Sequence, residues 1–414
     1  MVAYHYPPEG GSSGVLRTLK FSKYLPEFGW QPHVLTLRKS FYQVRDERLL
    51  EDIPKEVVVH RTFGVDTARH LSLRGRHLSA LAVPDRLIGW LPFAVARGLR
   101  VIRKERIDAL YSTCPAPSAH LIAWVLSRIS GLPWLADYRD PWIEEGIFPR
   151  PGTLRYKFES FLEANVIREC TYMIATTPHL AREFRERYPQ LEEKRVRVIF
   201  NGFDEADFTG LNASSWPKQF EILHAGLLSR SYRNPFKFLE VMSELMRKGQ
   251  LSASLLRITF IGSGSWVDSH EFRNKVESLG LGNSVSIENR VSHREALERM
   301  TKAAVLLLLQ ASDDTRALIP AKAFEYLRVG RPILALTLPG ATADLLHEQV
   351  NSFTVDPSEK ESLATAVLSL YGSWSDRCAR AVPEDIARYE RRNLTRELTT
   401  ILDMAVGQTR TGSR

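Results

Sequence analysis

Short apolar runs alternate along this chain with stretches in which apolar residues return every three or four positions. That is the pattern of parallel sheets covered by helices. In the first half, residues 1–6 read as a strand, 10–14 as a glycine-rich loop, and 15–28 as a helix with Leu16, Leu19, Phe21 and Leu25 on its apolar side. Further strands are predicted at 33–37, 57–61, 109–112, 134–138, 173–176 and 196–199. Residues 201–220 are rich in turn formers and read as a linker. A second alternation follows, with strands at 221–224, 257–261, 285–288, 305–309, 333–336 and 352–355. The pattern predicts an α/β protein of two doubly wound units facing one another: 1–202, 203–384, a C-terminal helix 385–407 that packs back on the first unit, and a disordered tail 408–414. The opening strand is short, as a shortened start would leave it.

Composition narrows the class. A chain of 414 residues is too long for one ordinary core, and 44% hydrophobic with 25% charged residues are globular values. No window approaches the roughly 18 apolar residues of a membrane span. Cys114, Cys170 and Cys378 are an odd, scattered set without disulfide or zinc spacing, which predicts a cytoplasmic protein. The net charge of +8 predicts an anionic partner. Cations concentrate between Arg61 and Arg106, where Arg69, Arg74, Arg76, Arg86, Arg97, Arg100, Arg103 and Lys104 are interleaved with Trp90, Phe93 and aliphatic residues. Trp90, Arg97, Arg100, Arg103 and Lys104 are therefore candidates for resting on an anionic inner membrane surface, the alternative being a solvated helix face over an ordinary core stripe. No nucleic-acid motif accompanies the charge, so no nucleic-acid partner is expected.

Four segments carry candidate chemistry at predicted strand ends, where doubly wound sheets place ligands. In 319–332, IPAKAFEYLRVGRP, Pro320 suits the first position of a helix, and Lys322 and Glu325 project from nearly one face. The cation and the helix start suit a phosphate, and the carboxylate suits a ribose diol; a capped helix with a surface ion pair is the bland alternative. In 7–14, PPEGGSSG, Gly10 and Gly11 admit close backbone approach to phosphate or sugar, or make a tight turn. It is neither a GxGxxG fingerprint nor a P-loop, which disfavours a dehydrogenase or ATPase. In 137–142, DYRDPW, Arg139 and Asp140 can stabilise charge or take a proton, or else Asp and Arg close the loop as a structural pair. Arg230 and Arg233 follow the first strand of the second unit and match a diphosphate, and Gly262 lies in a Gly-Ser loop of the kind that lines a nucleotide site.

Segments 4–36, 137–142, 196–204 (VRVIFNGFD) and 319–336 occur in an order and spacing that resembles the family 4 (group 1) glycosyltransferases over nearly the whole chain. The resemblance implies the GT-B fold, two facing Rossmann-like domains around a deep interdomain cleft, the first binding acceptor and the second nucleotide sugar. It implies a retaining transfer of hexosyltransferase type without cofactor or metal. By that resemblance Glu325 meets the donor ribose, Arg230 and Arg233 the diphosphate, and Gly10 and Gly11 approach donor phosphate and acceptor. Two positions depart from the pattern. The first of the family's paired glutamates falls at Ala317, leaving its contact missing or supplied by Asp313 or Asp314, and Arg139 followed by Asp140 stands where many members have a histidine.

The expected catalytic residues are Asp140, Arg139 and Arg230, and the expected donor-binding residues Gly10, Gly11, Arg230, Arg233, Gly262, Lys322 and Glu325. The expected partners are a nucleotide-sugar donor, a glycan or lipid-linked acceptor of cell-envelope polysaccharide, and the inner face of the plasma membrane. The different-class alternative is an inactive GT-B scaffold of an envelope assembly complex, and a third is an epimerase or phosphorylase on the same fold.

Overall fold

The computed structural model describes residues 1–12, 14–70, 82–143, 151–211, 216–231, 233–347, 349, 352–377 and 382–412. Cys378, Arg74 and Arg76 lie outside them. The chain divides into two compact units, Met1–Asn201 with Arg391–Arg414, and Gly202–Glu390.

In the first unit the helices α1 (Val15–Tyr24), α2 (Thr67–His70), α3 (Leu91–Glu105), α4 (Pro117–Ser130), α5 (Leu154–Glu169) and α6 (Pro178–Arg187) alternate with β1 (His33–Leu37), β2 (Val58–Thr62), β3 (Leu110–Thr113), β4 (Trp134–Tyr138), β5 (Tyr172–Ala175) and β6 (Val196–Val198). Every strand pairing is parallel. The strand expected at 1–6 shrinks to a parallel bridge at Val2, which joins β1 to β3. Its N–H donates to Tyr111 O (2.7 Å) and Leu35 N–H donates to Met1 O (2.8 Å). Pro7 and Pro8, lacking N–H groups, then interrupt the pairing, which resumes only as an isolated antiparallel bridge between Glu9 and Arg45. The helix expected over 15–28 is α-helical only to Tyr24 and finishes as a 3₁₀ turn, Leu25–Phe28. Pro26 cannot donate to the preceding turn.

A buried ion pair locks this unit. Arg17 of α1 donates from Nε and Nη2 to the two oxygens of Asp137 on β4 (2.8 and 2.7 Å), and the side chains are 1% and 0% exposed. Arg17 also donates to the carbonyls of Ile199 (3.0 Å) and Phe200 (2.8 Å), while Asp137 accepts from the hydroxyls of Tyr111 and Thr113. Burial alone would raise the Asp137 pKa, but the Arg17 charge and these hydrogen bonds hold it below the usual carboxylate value. Asp137 is thus a structural member of the DYRDPW motif.

In the second unit β7 (Phe220–Ala225), β8 (Leu256–Ile261), β9 (Val285–Glu288), β10 (Val305–Gln310), β11 (Ile333–Thr337) and β12 (Ser352–Val355) form one parallel sheet in the order β9-β8-β7-β10-β11-β12. The helices α7 (Phe236–Arg247), α8 (His270–Ser278), α9 (His293–Lys302), α10 (Ala321–Val329), α11 (Ala341–His347) and α12 (Lys360–Ser375) connect the strands. β10 is buried at every position, as a central parallel strand covered on both faces must be. The strand order reverses between β7 and β10, the switch point at which such sheets open a ligand crevice.

The last helix, α13 (Arg391–Gly412), groups with the first unit. Its Leu394, Leu398, Ile401, Leu402 and Ala405 pack with Phe21, Leu25 and Tyr111. The disordered tail expected from 408 is helix as far as Gly412, because Gln408 is held by a hydrogen bond from its amide to the Tyr172 hydroxyl (2.8 Å).

Asp137→Ala leaves the Arg17 charge buried without its partner and is expected to destabilise the first unit by about 3–5 kcal/mol. The urea midpoint followed by tryptophan fluorescence measures this, and Arg17→Met with Asp137→Leu should recover most of the loss. Because the Asp137 pKa is depressed, the pair's contribution is complete above the unfolded carboxylate pKa of 3.8 and is lost as pH falls below it.

Candidate active site

In the second unit the sheet's switch point brings together residues from three segments. α10 begins beside the carboxyl end of β7 because two of its side chains fasten to Ala225. Lys322 Nζ donates to the Ala225 carbonyl (2.6 Å) and the Ala225 N–H donates to the Tyr326 hydroxyl (3.4 Å). Gly226 follows with φ 129°, and a Cβ there would lie 2.5 Å from Lys322 Nζ, so any side chain at 226 would push the ammonium aside. Burial and then the charge of Arg233 depress the Lys322 pKa to about 7, with Glu325 opposing them. The result is a cationic spot at the start of a helix, which suits an anion. Pro320, expected as the first helical residue, is instead the N-cap in an extended conformation, with Ala321 the first helical residue. Gly330 (φ 73°) ends the helix as the sequence predicts.

Glu325 lies on the same helix and accepts a hydrogen bond from His293 Nε2 (2.8 Å), at the start of α9. The His293 ring also faces Asp207, at 3.9 Å. No sequence signal points to His293, whose partner is fixed only by the packing of α9 on α10. Gly262 (φ 66°) turns the chain out of β8, its N–H bound to Glu288 O (3.0 Å). Arg233 acts on Lys322, whereas Arg230 is an exposed residue paired with Glu271. The expected Arg230–Arg233 pair is thus divided in this structure. Ala317 is buried, and Asp313 is exposed and paired with Arg316 (2.8 Å).

In the first unit the glycine loop is largely satisfied internally. Gly10 N–H donates to Val44 O (3.0 Å) and Gly11 N–H to the Glu9 carboxylate (2.7 Å), which His5 Nδ1 also meets (3.0 Å). The two amides expected to approach a phosphate are therefore engaged, one of them by a carboxylate that the sequence reading passed over. Arg139, expected to be catalytic, is 7% exposed, and its guanidinium donates to the carbonyls of Cys114 and Gly14. A Cβ on Gly14 would sit 2.7 Å from its Nη1. Its visible work is to hold the loop against the end of β3. Asp140 is half-buried; desolvation raises its pKa, partly offset by Arg139 and His5.

The basic stretch resolves differently from its sequence reading. Trp90 is fully buried, its Nε1 donating to Thr62 Oγ1 (2.7 Å), so it cannot rest on a membrane. Arg97, Arg100, Arg103 and Lys104 are exposed along α3, with Arg97 beside His60 (3.3 Å) and Lys104 paired with Glu105 (3.1 Å). No described helix is long and apolar enough to cross a membrane.

Two family models match the chain: a glycosyl transferase 4-like domain over residues 14–202 and glycosyl transferases group 1 over residues 219–373. The chain belongs to the group 1 glycosyltransferases, and its two Rossmann-like units are the GT-B fold. A glycosyltransferase from Rickettsia africae superposes with a TM-score of 0.67 at 14% identity, covering 98% of each chain. HepE of Anabaena, solved in complex with UDP, gives 0.64 at 17% identity over 97% of this chain and 99% of its own. The lipopolysaccharide outer core galactosyltransferase WaaB, in its apo form, gives 0.61 at 13% identity over 97% and 98%. At these identities the likeness is one of fold. No curated protein matches the chain in sequence.

Gly226→Ala tests the cationic spot. Gly249 has a left-handed backbone (φ 68°) with open space around it, so Gly249→Ala reports the ordinary cost of that conformation, about 1–2 kcal/mol, and Gly226→Ala at φ 129° is expected to cost more. Both variants are expected to melt lower, and only Gly226→Ala should weaken pyrophosphate binding in calorimetry, by about tenfold or more, the loss of one charge-assisted contact.

Proposed function

We propose that this chain transfers a sugar, with retention of configuration, from a nucleotide-sugar donor to a glycan or lipid-linked acceptor in cell-envelope polysaccharide synthesis. The observation that carries the reading is the convergence of Lys322, Arg233 and Glu325 at the start of α10, beside the switch point of the second sheet. The UDP bound to HepE supports the donor class, and the galactosyltransferase of the lipopolysaccharide core supports the envelope setting. Family membership supports the transfer itself.

The chemistry follows from charge. As the bond from sugar to diphosphate lengthens, negative charge grows on the leaving oxygens, and Lys322, Arg233 and the α10 N-terminus offset it. Glu325 holds the ribose hydroxyls in exchange for its bond to His293. The acceptor attacks on the face the diphosphate leaves, and the donor phosphate takes its proton, with Asp140 orienting the acceptor hydroxyl. Arg139 positions the glycine loop, and Arg230 reaches the diphosphate only after leaving Glu271. No cofactor enters, and the cations replace a metal as counter-charge: full turnover in excess chelator supports this, and an absolute metal requirement sinks it. The protein works in the cytoplasm, at the inner face of the plasma membrane.

A second reading is a donor-binding scaffold without turnover. Ala317 favours it, since a buried methyl group stands where the family has a carboxylate. Donor binding with no product from any acceptor would establish it.

Glu325→Ala should abolish the rise in melting temperature that one nucleoside diphosphate series gives the native chain. No rise with UDP, GDP, CDP or ADP would overturn the donor reading. Because the Lys322 pKa is about 7 in the free protein, the amine charges on binding an anion, and proton uptake accompanies binding above that pH. Affinity for the nucleotide is expected to fall as pH rises through about 7 to 9, by up to about tenfold per unit, and Lys322→Arg should flatten this slope. A native chain whose affinity is constant over that range would contradict the assignment.

A further inference from the structure

We propose that the outer face of α5 docks the protein on an anionic lipid bilayer. α5 is arranged inside out. Its carboxylates point inward, with Glu159 2% and Glu163 0% exposed. Glu159 accepts from Arg155 Nε (2.6 Å) and Trp142 Nε1 (3.1 Å). Glu163 accepts from the Trp142 N–H (3.2 Å) and the Tyr188 hydroxyl, with Arg187 at 3.5 Å. The apolar side chains point outward instead: Leu154 is 85%, Phe158 51% and Phe161 60% exposed. Their i, i+4, i+7 spacing puts all three on one stripe. The other exposed positions of the helix are Lys157 and Arg168. Among the described residues this face therefore carries apolar and cationic groups and, at its end, the partly exposed Glu169 (26%), which is paired with Arg168 (3.4 Å) and Arg128 (3.1 Å).

Folding does not account for the stripe, because the inward positions are already held by the two glutamates and their partners. Charge complementarity identifies the occupant. Two phenyl rings and a leucine flanked by lysine and arginine match an interface of acyl chains beneath anionic headgroups. The neighbouring surface agrees. α3 packs on α4 and α4 on α5, so the three lie side by side in one layer. α3 adds exposed Arg100, Arg103 and Lys104, with Phe93 (41% exposed) edge-on to Phe63 (46%) near its start. α3 alone offers mainly charge, and α5 supplies the apolar anchor. The assignment deepens the reading of a lipid-linked acceptor and is independent of the donor chemistry.

Co-sedimentation of the full chain with phosphatidylcholine vesicles, with and without about one-third phosphatidylglycerol, tests it. The native chain should bind the anionic vesicles about tenfold or more tightly than the neutral ones, given about a several-fold gain per engaged cation. The combined substitution Leu154→Ser, Phe158→Ser and Phe161→Ser should lower partition by about 30-fold or more while the nucleotide-dependent thermal shift persists. Arg100→Ala, Arg103→Ala and Lys104→Ala together should lower it less and remove most of its salt dependence. If the serine variant fails to fold, Phe158→Ala alone should still give a several-fold loss. Partition unchanged by the serine substitutions, or no vesicle binding by the native chain, overturns the assignment. So does native self-association that the serine variant abolishes without any vesicle binding, which assigns the stripe to a second copy. Equal binding to neutral and anionic vesicles overturns the anionic preference. Loss of nucleotide binding with vesicle binding intact counts against the donor reading and supports this one.

Discussion

Parallel pairing is the constraint on which everything else in this molecule depends. Two parallel strands cannot be joined by a tight turn, so each return is a long crossover, through a covering helix everywhere but between β1 and β2, where 3₁₀ turns serve, and the loops that leave the strands gather at their carboxyl ends. In the second unit that rule places Gly226, Gly262 and the start of α10 along one edge, although the chain visits them far apart. The reversal of order between β7 and β10 parts the helices there, and α10 fills the gap only as far as its bonds to Ala225 allow. In the first unit the same rule brings α1 across the carboxyl end of β4, where a buried arginine needs a buried carboxylate. The Arg17–Asp137 pair answers both desolvation costs at once.

What the sequence made legible follows from which interactions are local. Central parallel strands are continuous apolar runs, so β10 and β11 stand out, and the i, i+3 relation of Lys322 and Glu325 needs only a helix to be true. The Gly330 cap is equally local. The Arg17–Asp137 pair spans 120 residues, and nothing near either residue announces it. Trp90 among cations reads as an interfacial residue, yet Thr62 on β2 gives its indole a partner inside the core. Arg139 and Gly11 mislead for a related reason. Each has the chemistry a ligand would use, and each is taken by a protein group, the carbonyls of Cys114 and Gly14 for one and Glu9 for the other. The inversion of α5 is hidden because aromatic residues at helical spacing read as core unless the glutamates between them are known to have buried partners.

The cations of the second unit differ in what they can do for an anion. Arg230 and Glu271 form an exposed pair, where solvent screens the attraction and little is gained or lost by exchanging partners. Lys322 sits where water is scarce and a second cation is near, which is why its pKa falls to about 7. A group held at that threshold responds to its ligand. On the donor reading proposed above, a diphosphate brings further counter-charge, the amine becomes fully protonated, and the interaction strengthens as more charge develops on the leaving oxygens. An arginine already matched to a carboxylate has no such reserve. On the proposed reading, the counter-charge that responds to the donor is therefore that of Lys322 rather than of the more conspicuous Arg230.

The same distinction between steering and holding applies to the first unit's outer surface. The exposed cations of α3 act over a Debye length, so they draw the protein toward a negative surface but release it as salt rises. Apolar contact has the opposite character, short in range and little affected by ionic strength. With Trp90 buried, Phe93 is the large apolar side chain α3 still exposes, and a docking face made of α3 alone would be mainly electrostatic. Leu154, Phe158 and Phe161 supply what α3 lacks from a helix whose own carboxylates have been withdrawn into the core. Turning the glutamates inward does two things at once. It fastens α5 to Trp142 and Tyr188, and it removes from the outer face the negative charges that would repel an anionic surface. A single packing choice thus sets both the position of the helix and the character of its exposed side.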